Sequence, residues 1–113
     1  MNAKNIPDIG SMRHRITFQQ RMQIADGAGG SLDEWENFLT LWAAIDDPGS
    51  SDIYERGANQ PIEKKTFTIR YHPTIDETMR ITWNKRTFTI DGIVNIGNMN
   101  HFLEISAAGQ WDA

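Results

Sequence analysis

The sequence predicts an all-β chain that folds as a small single-domain β-barrel with a long loop between the second and third strands. Three observations support this prediction. The 113 residues suffice for one hydrophobic core but not for two ordinary domains. Apolar and polar residues alternate with a period of two in several short segments, and no segment keeps a helical period for long. A closed barrel also removes the exposed edges that short strands would otherwise have.

The first predicted strand begins near Arg13 and places Ile16, Phe18 and Met22 on its buried face. Residues 38–45 are apolar on both faces. This favours a strand that is covered on both sides or that closes the barrel, and a helix is the competing interpretation. Further strands are predicted over residues 65–71, 79–83, 86–91, 93–96 and 101–107.

The connections between these strands differ in kind. Residues 26–31 predict a mobile hairpin connection, because their glycines readily take positive φ. Asn84-Lys85 has the spacing of a two-residue hairpin turn. The polar segment from Asp46 to Pro61 is much longer, with a single helical turn as one option over residues 52–57. Connections of this length in a small domain are usually functional or disordered.

These boundaries divide the chain into three parts. Residues 1–11 are expected to be a flexible N-terminal extension, residues 12–108 the barrel domain, and residues 109–113 a C-terminal tail.

Composition limits the class of protein. The chain has no cysteine, which removes disulfides and thiolate sites and suits a reducing compartment. No apolar run approaches the roughly 18 residues needed to cross a bilayer, and residues 1–11 lack the apolar stretch of a signal peptide. We expect cytoplasmic synthesis without export or membrane contact.

Charge is unevenly distributed along the chain. The net charge of −4 divides into +3 over residues 1–22, −8 over residues 23–63, +4 over residues 64–90 and −3 over the remainder. Either solvated loops collect the acids, or oppositely charged patches meet between copies or partners.

The sequence offers no coherent catalytic set. His14, His72 and His101 lack the spacing of metal ligands, so surface or turn positions are the better interpretation. The glycines of residues 27–30 lack the Lys-Ser/Thr ending of a phosphate loop, and adjacent acids such as Asp46 and Asp47 point in different directions. We expect neither enzymatic activity nor a bound metal or cofactor.

The segment Ile9–Gln20 resembles the opening of phage head-tail joining proteins, also called head-closure, stopper or head-tail adaptor proteins. The resemblance continues in register through Asp26-Gly27 with Gly30 and Trp35, Leu41–Ile45, Ile69–Tyr71 with Ile75 and Arg80-Ile81, Arg86–Ile90, and Phe102–Ile105. Each segment alone is a common strand pattern, and their order and spacing make the match specific. Asn84-Lys85 replaces the more usual Asp-Gly turn, and residues 109–113 have no counterpart.

The resemblance implies a structural protein of a tailed phage or prophage virion, assembled in the host cytoplasm. It implies a ring, either a hexamer or a dodecamer, below the portal and its adaptor, the head completion protein. The ring would close the DNA-filled head and dock a tail or tail-terminator protein, and DNA would pass through its channel without sequence-specific binding. A monomeric state of the isolated chain is left open.

The resemblance also places the long connection in the central channel. Our hypothesis is that its side chains line the lumen, where acids repel DNA phosphates and let the genome slide; the residues are Asp46, Asp47, Asp52, Tyr54, Glu55 and Arg56. Different surfaces of neighbouring copies meet in a ring. Arg13, Arg15 and Arg21 are the candidates for that contact.

The main alternative is a small oligonucleotide-binding barrel. Its basic strip would consist of Lys64, Lys65, Arg70, Lys85 and Arg86, with Tyr71 and Trp83 as stacking platforms. The net negative charge and the burial expected of Trp83 argue against it.

Overall fold

The computed structural model describes residues 9–47, 54–56 and 60–110, which form one antiparallel sheet of seven strands. The strands are β1 (His14–Ala25), β2 (Ser31–Asp46), β3 (Tyr54–Arg56), β4 (Gln60–Arg70), β5 (Arg80–Trp83), β6 (Arg86–Asn95) and β7 (Phe102–Gln110). Short 3-10 turns span Ile9–Ser11 and Ile96–Asn98. Within these residues, no helix is long and apolar enough to cross a membrane.

The sheet closes on itself. Its strand order is β2-β1-β5-β6-β7-β4-β3, and β2 also pairs with β4, from Ala43 opposite Ile69 to Asp46 opposite Thr66. Six of the described strands thereby form a closed ring, while β3 is attached to the start of β4. The all-β fold class predicted from the sequence is confirmed, and closure of the sheet is the feature that defines a barrel.

The hydrophobic core fills the inside of this ring. Phe67 and Phe88 meet edge to face there, with ring centroids 5.2 Å apart. Full burial of one such side chain contributes roughly 1.5–3 kcal/mol to folding. The largest fully buried side chains are Ile16, Phe18, Phe67, Ile69, Ile81, Phe88 and Ile105.

One predicted core position is wrong. Met22 lies on the same side of β1 as Ile16 and Phe18, yet its side chain is 38% exposed. The physical reason is that the pairing of β1 with β5 ends at Gln19. Beyond that point, the described residues of β1 and β2 pair only with each other. They form a two-stranded arm, residues 20–25 and 31–36, that extends outside the closed ring.

Strand β2 confirms the strand prediction for residues 38–45 and excludes the helix. It is the strand that closes the ring, through its pairing with β4. The alternative of a strand covered on both faces is wrong, because Trp42 is 52% exposed and Phe38 is 37% exposed.

The connection from Asp46 to Pro61 differs from its prediction. Its described part contains β3 in place of a helical turn, and β3 pairs with residues 60–62 at the start of β4. Strand β4 therefore begins at Gln60 and not near Lys65. Backbone hydrogen bonding between the two segments offsets the entropic cost of ordering them. Residues 48–53 and 57–59, which include Asp52, lie outside the described residues.

The two shorter turns have clear chemical causes. Asn84 and Lys85 both take positive φ, 53° and 62°, as a type I′ hairpin turn requires. The turn that ends the arm is closed by the carboxylate of Asp26, which accepts hydrogen bonds from the backbone amides of Ala28 and Gly30 at 2.8 and 3.0 Å. These hydrogen bonds stabilise the charged form and hold the pKa of Asp26 below its ordinary value.

Strand β7 reaches Gln110, beyond the domain end predicted at residue 108, and brings Gly109 directly opposite Phe88 of β6. A Cβ atom at residue 109 would lie 2.5 and 2.7 Å from two ring carbons of Phe88, which is fully buried. Glycine is therefore required at this position by close packing.

We expect Gly109→Ala to lower the free energy of unfolding by about 1–3 kcal/mol, because the buried ring has to shift within a packed core. Thermal unfolding followed by circular dichroism measures the effect. Gly92→Ala is the matched control, since a Cβ there has no heavy atom within 4 Å. Equal melting temperatures for the two variants would contradict the packing argument.

Candidate assembly surfaces

Two of the three arginines proposed for contacts between copies are stacked on tryptophans. Arg15 lies directly opposite Trp42 and Arg21 directly opposite Trp35 across β1 and β2. The guanidinium carbons lie 4.9 and 5.3 Å from the respective ring centroids. Cation–π contacts of this kind contribute about 0.5–1 kcal/mol at exposed sites. They hold the arginines against the outer surface of the sheet.

Arg80 of β5 completes the stack at Trp35. Its guanidinium carbon lies 4.3 Å from the ring centroid, and its Nε donates a hydrogen bond of 2.7 Å to Gln19 Oε1. Partial burial lowers the pKa of Arg80 from its usual value. Sequence reasoning missed this role of Trp35 because the pairing depends on a register shift between Phe18 and Gln19.

The third arginine, Arg13, lines an open cavity of about 470 Å³. The cavity lies where β2 leaves β4, next to their last paired residues Ala43 and Ile69. Its lining combines apolar side chains with two guanidinium groups and consists of Met12, Arg13, Leu41, Trp42 and Arg70. We call this feature the groove. The groove was not predictable from the sequence, because its residues come from three separate segments.

The arm presents a second exposed apolar surface. Met22, Ile24 and Leu32 are 38%, 41% and 53% exposed. Ile24 lies directly opposite Leu32, and Met22 is two residues away on the same side of β1. Within the described part of the chain, these apolar side chains of the arm therefore stay exposed. Isolated two-stranded ribbons are also only marginally stable in water, so contact with another surface would stabilise the arm.

We call the segment from Asp46 to Pro61 the acidic connection. An ion-pair network lies where this segment begins, after β2. Lys65 Nζ donates to Asp47 Oδ1 and lies 3.5 Å from Glu63 Oε2, while Arg86 Nη1 donates to Glu63 Oε1 at 2.7 Å. The Lys65 side chain is 7% exposed, and its ammonium lies 5.7 Å from the Trp83 ring centroid. The network ties the residue that follows β2 to β4 and β6.

The channel residues proposed from the sequence are placed in different ways. Asp46 ends β2, and Asp47 is bound to Lys65 although its own side chain is 66% exposed. The backbone of residues 54–56 forms β3, and Asp52 lies outside the described residues.

The network also weakens the oligonucleotide-binding alternative. Lys65 is buried and ion-paired, and Arg86 is bound to Glu63. Arg70 lies over the Phe102 ring at 5.9 Å. Phosphate binding through Lys65 would require breaking its ion pairs, which costs energy in a buried setting.

The histidines are placed in unrelated positions. His14 contacts the Trp83 ring edge to face at 5.6 Å, and His72 Nδ1 is 2.8 Å from Thr74 Oγ1. Within the described residues, no group of three or more His, Asp or Glu side chains is arranged to hold a metal ion.

A closed sheet with an exposed arm, a groove and stacked arginines is typical of a small protein that acts through contacts with other chains. The family model for phage head completion proteins matches residues 7–109. The chain therefore belongs to the phage head completion protein family. The name head completion protein, expected from the resemblance for the adaptor partner, thus applies to the family of this chain itself. This is a family of structural phage proteins and not of enzymes, and membership gives the chain a structural role in a phage head.

Two solved structures are similar to the chain. A chain of the virion of a native gene transfer agent (GTA) particle has a TM-score of 0.71 and 20% sequence identity, covering 89% of this chain and 96% of that chain. Protein SF1141 from Shigella flexneri 2a has a TM-score of 0.66 and 31% identity, covering 89% of this chain and 95% of that one. No curated protein gives a significant match.

We expect Lys65→Ala to lower the free energy of unfolding by about 1–3 kcal/mol, because it removes charge-assisted hydrogen bonds from a buried group. Urea denaturation at neutral pH measures the loss. Glu104→Ala is the control, since Glu104 is an exposed charged residue of β7, the strand next to β4. A loss of equal size in both variants would show that the buried network is not what stabilises this region.

Proposed function

We propose that the protein forms a ring at the head-tail connector of a tailed phage, where it closes the DNA-filled head and docks the tail. The observation that carries this proposal is the family match over residues 7–109, because head completion is the step that follows DNA packaging. The likeness to a chain of a gene transfer agent virion supports the same setting. The partners would be the portal-adaptor protein on one side and a tail or tail-terminator protein on the other.

The topology suits a protein with two different docking sides. Strand β2 runs from the arm at its first residue, Ser31, to the acidic connection after Asp46. Sixteen residues of extended chain span about 50 Å. The arm therefore begins about 50 Å along β2 from Asp46, the first residue of the acidic connection, in a molecule whose longest extent is 57 Å. A ring built from such subunits would present unlike surfaces to the head and to the tail.

The acidic connection is the proposed channel element. Asp46, Asp47, Asp52 and Glu55 carry four negative charges against the single positive charge of Arg56. Repulsion between these acids and DNA phosphates would let the genome slide past the ring. The ion pair of Asp47 with Lys65 would fix the base of the connection while its more distant part projects into the lumen.

Deleting residues 50–59 tests the channel element. We expect heads that package DNA but lose it, because the part of the connection that narrows the channel is gone. DNase-protected DNA per particle measures retention, with heads lacking the protein as the baseline. The double variant Asp52→Asn and Glu55→Gln is the control that keeps the length and should stay sealed. Sealed heads from the deletion variant would remove the channel role.

Charge reversal tests the contact between copies. We expect the triple substitution of Arg13, Arg15 and Arg21 by Glu to block ring formation, since like charges would then meet at the interface. Negative-stain images of purified connectors show whether the ring is present. Lys85→Glu, in the exposed turn between β5 and β6, is the control for charge change away from this face. Intact rings in the triple variant would exclude these arginines as the interface.

A further inference from the structure

The inner face of the arm combines apolar and acidic side chains. Gln20, Met22 and Ile24 continue the core-facing side of β1 beyond the closed ring, and residues Glu36, Glu34 and Leu32 of β2 lie directly opposite them. The Gln20 amide donates a hydrogen bond of 2.8 Å to Glu36 Oε1. This inner face therefore presents three exposed apolar side chains beside two negative charges.

The groove has the opposite charge and the same apolar character. Met12, Leu41 and Trp42 supply apolar surface, and Arg13 and Arg70 supply two positive charges. Both arginines are exposed, and in the described part of the chain neither has a carboxylate within ion-pair distance. The volume of about 470 Å³ lies in the range of pockets that bind ligands or side chains of a partner.

The two surfaces cannot meet within one chain. Leu32 of the arm and Leu41 of the groove both lie on β2, nine residues apart. Since an extended strand rises about 3.3 Å per residue, roughly 30 Å of continuous strand separates them. The arm is held in this extended direction by its pairing along β1. Any groove that receives the arm therefore belongs to another molecule.

We propose that the inner face of the arm of one copy inserts into the groove of the next copy. Met22, Ile24 and Leu32 pack against Met12, Leu41 and Trp42, and Glu34 and Glu36 pair with Arg13 and Arg70. The contact joins two different surfaces of the same chain, so it repeats from copy to copy, as the proposed ring requires. The inference rests on the proposed ring and names the surfaces that build it.

The absence of cysteine makes this contact testable by disulfide cross-linking. We expect the double variant Ile24→Cys with Met12→Cys to give a ladder of covalent multimers in purified particles under mild oxidation. A mixture of the two single variants should give dimers only, because each pair of neighbours then forms one bond. A bond within a chain is excluded, because residues 14–23 of β1 lie between the two positions and span roughly 33 Å as an extended strand.

The control pair is Ile24→Cys with Lys85→Cys, which places the second thiol in the turn between β5 and β6. We expect this pair to remain monomeric on denaturing gels. Particles that contain the double variant Ile24→Cys with Met12→Cys but show no ladder would overturn the arm-groove contact and leave the proposed ring intact. Absence of the wild-type protein from purified particles would remove the proposed function, and the arm-groove contact with it.

Charge exchange gives a second, independent readout. We expect Glu34→Arg and Arg70→Glu each to reduce the amount of protein in particles about tenfold, and the double variant to restore it, because opposite charges meet again. Quantitative immunoblots of purified particles measure incorporation, and thermal unfolding of each variant shows that it folds. Failure of the double variant to recover, with both single variants folded and depleted, would contradict the pairing of these two residues.

Discussion

The pairing of β2 with β4 is the constraint on which the rest of the structure depends. Only residues 43–46 of β2 pair with β4, from Ala43 opposite Ile69 to Asp46 opposite Thr66. This short contact closes the sheet and buries the core within it. Because the pairing stops at Ala43, the groove opens beside Trp42. Residues 37–42 of β2 stay in the ring through β1, and the arm begins where the pairing of β1 with β5 ends at Gln19.

Charge in the molecule is organised around aromatic rings and one buried amine. On the outer surface, guanidinium groups lie over Trp35 and Trp42, so the positive charges of β1 are held flat against the sheet. At the end of β2, the buried ammonium of Lys65 holds Asp47 and Glu63. A buried charge without a partner has a high desolvation cost, so the Lys65 ammonium has to keep its carboxylate partners close to it. The base of the acidic connection is thereby fixed relative to β4.

The two ends of β2 carry different features, the arm at one end and the start of the acidic connection at the other. The proposed function needs different partners on the two sides of the subunit, and the long strand β2 separates the arm from the start of the acidic connection at Asp46. Rings of identical subunits need one surface that fits a different surface of the next copy. The arm and the groove provide such a pair, with matching apolar areas and opposite charges. The proposed assembly, channel and docking functions would then occupy separate parts of a chain of 113 residues.

The alternation of apolar and polar residues determined the strands, because a period of two leaves one face for the core. It also predicted the burial of Ile16 and Phe18. The spacing of Asn84-Lys85 predicted the hairpin, and the family resemblance came from the order of specific segments along the chain. Only the tertiary structure decided where the ring ends. Met22 continues the apolar pattern of β1, so its local sequence predicts burial. Its side chain is exposed because β5 stops pairing with β1 at Gln19, and the local sequence does not indicate this end of the pairing. The stack of Arg21 on Trp35 depends on a register shift between β1 and β2. The groove joins three segments that are distant in sequence. Both features arise from pairing between strands, which only the tertiary structure shows.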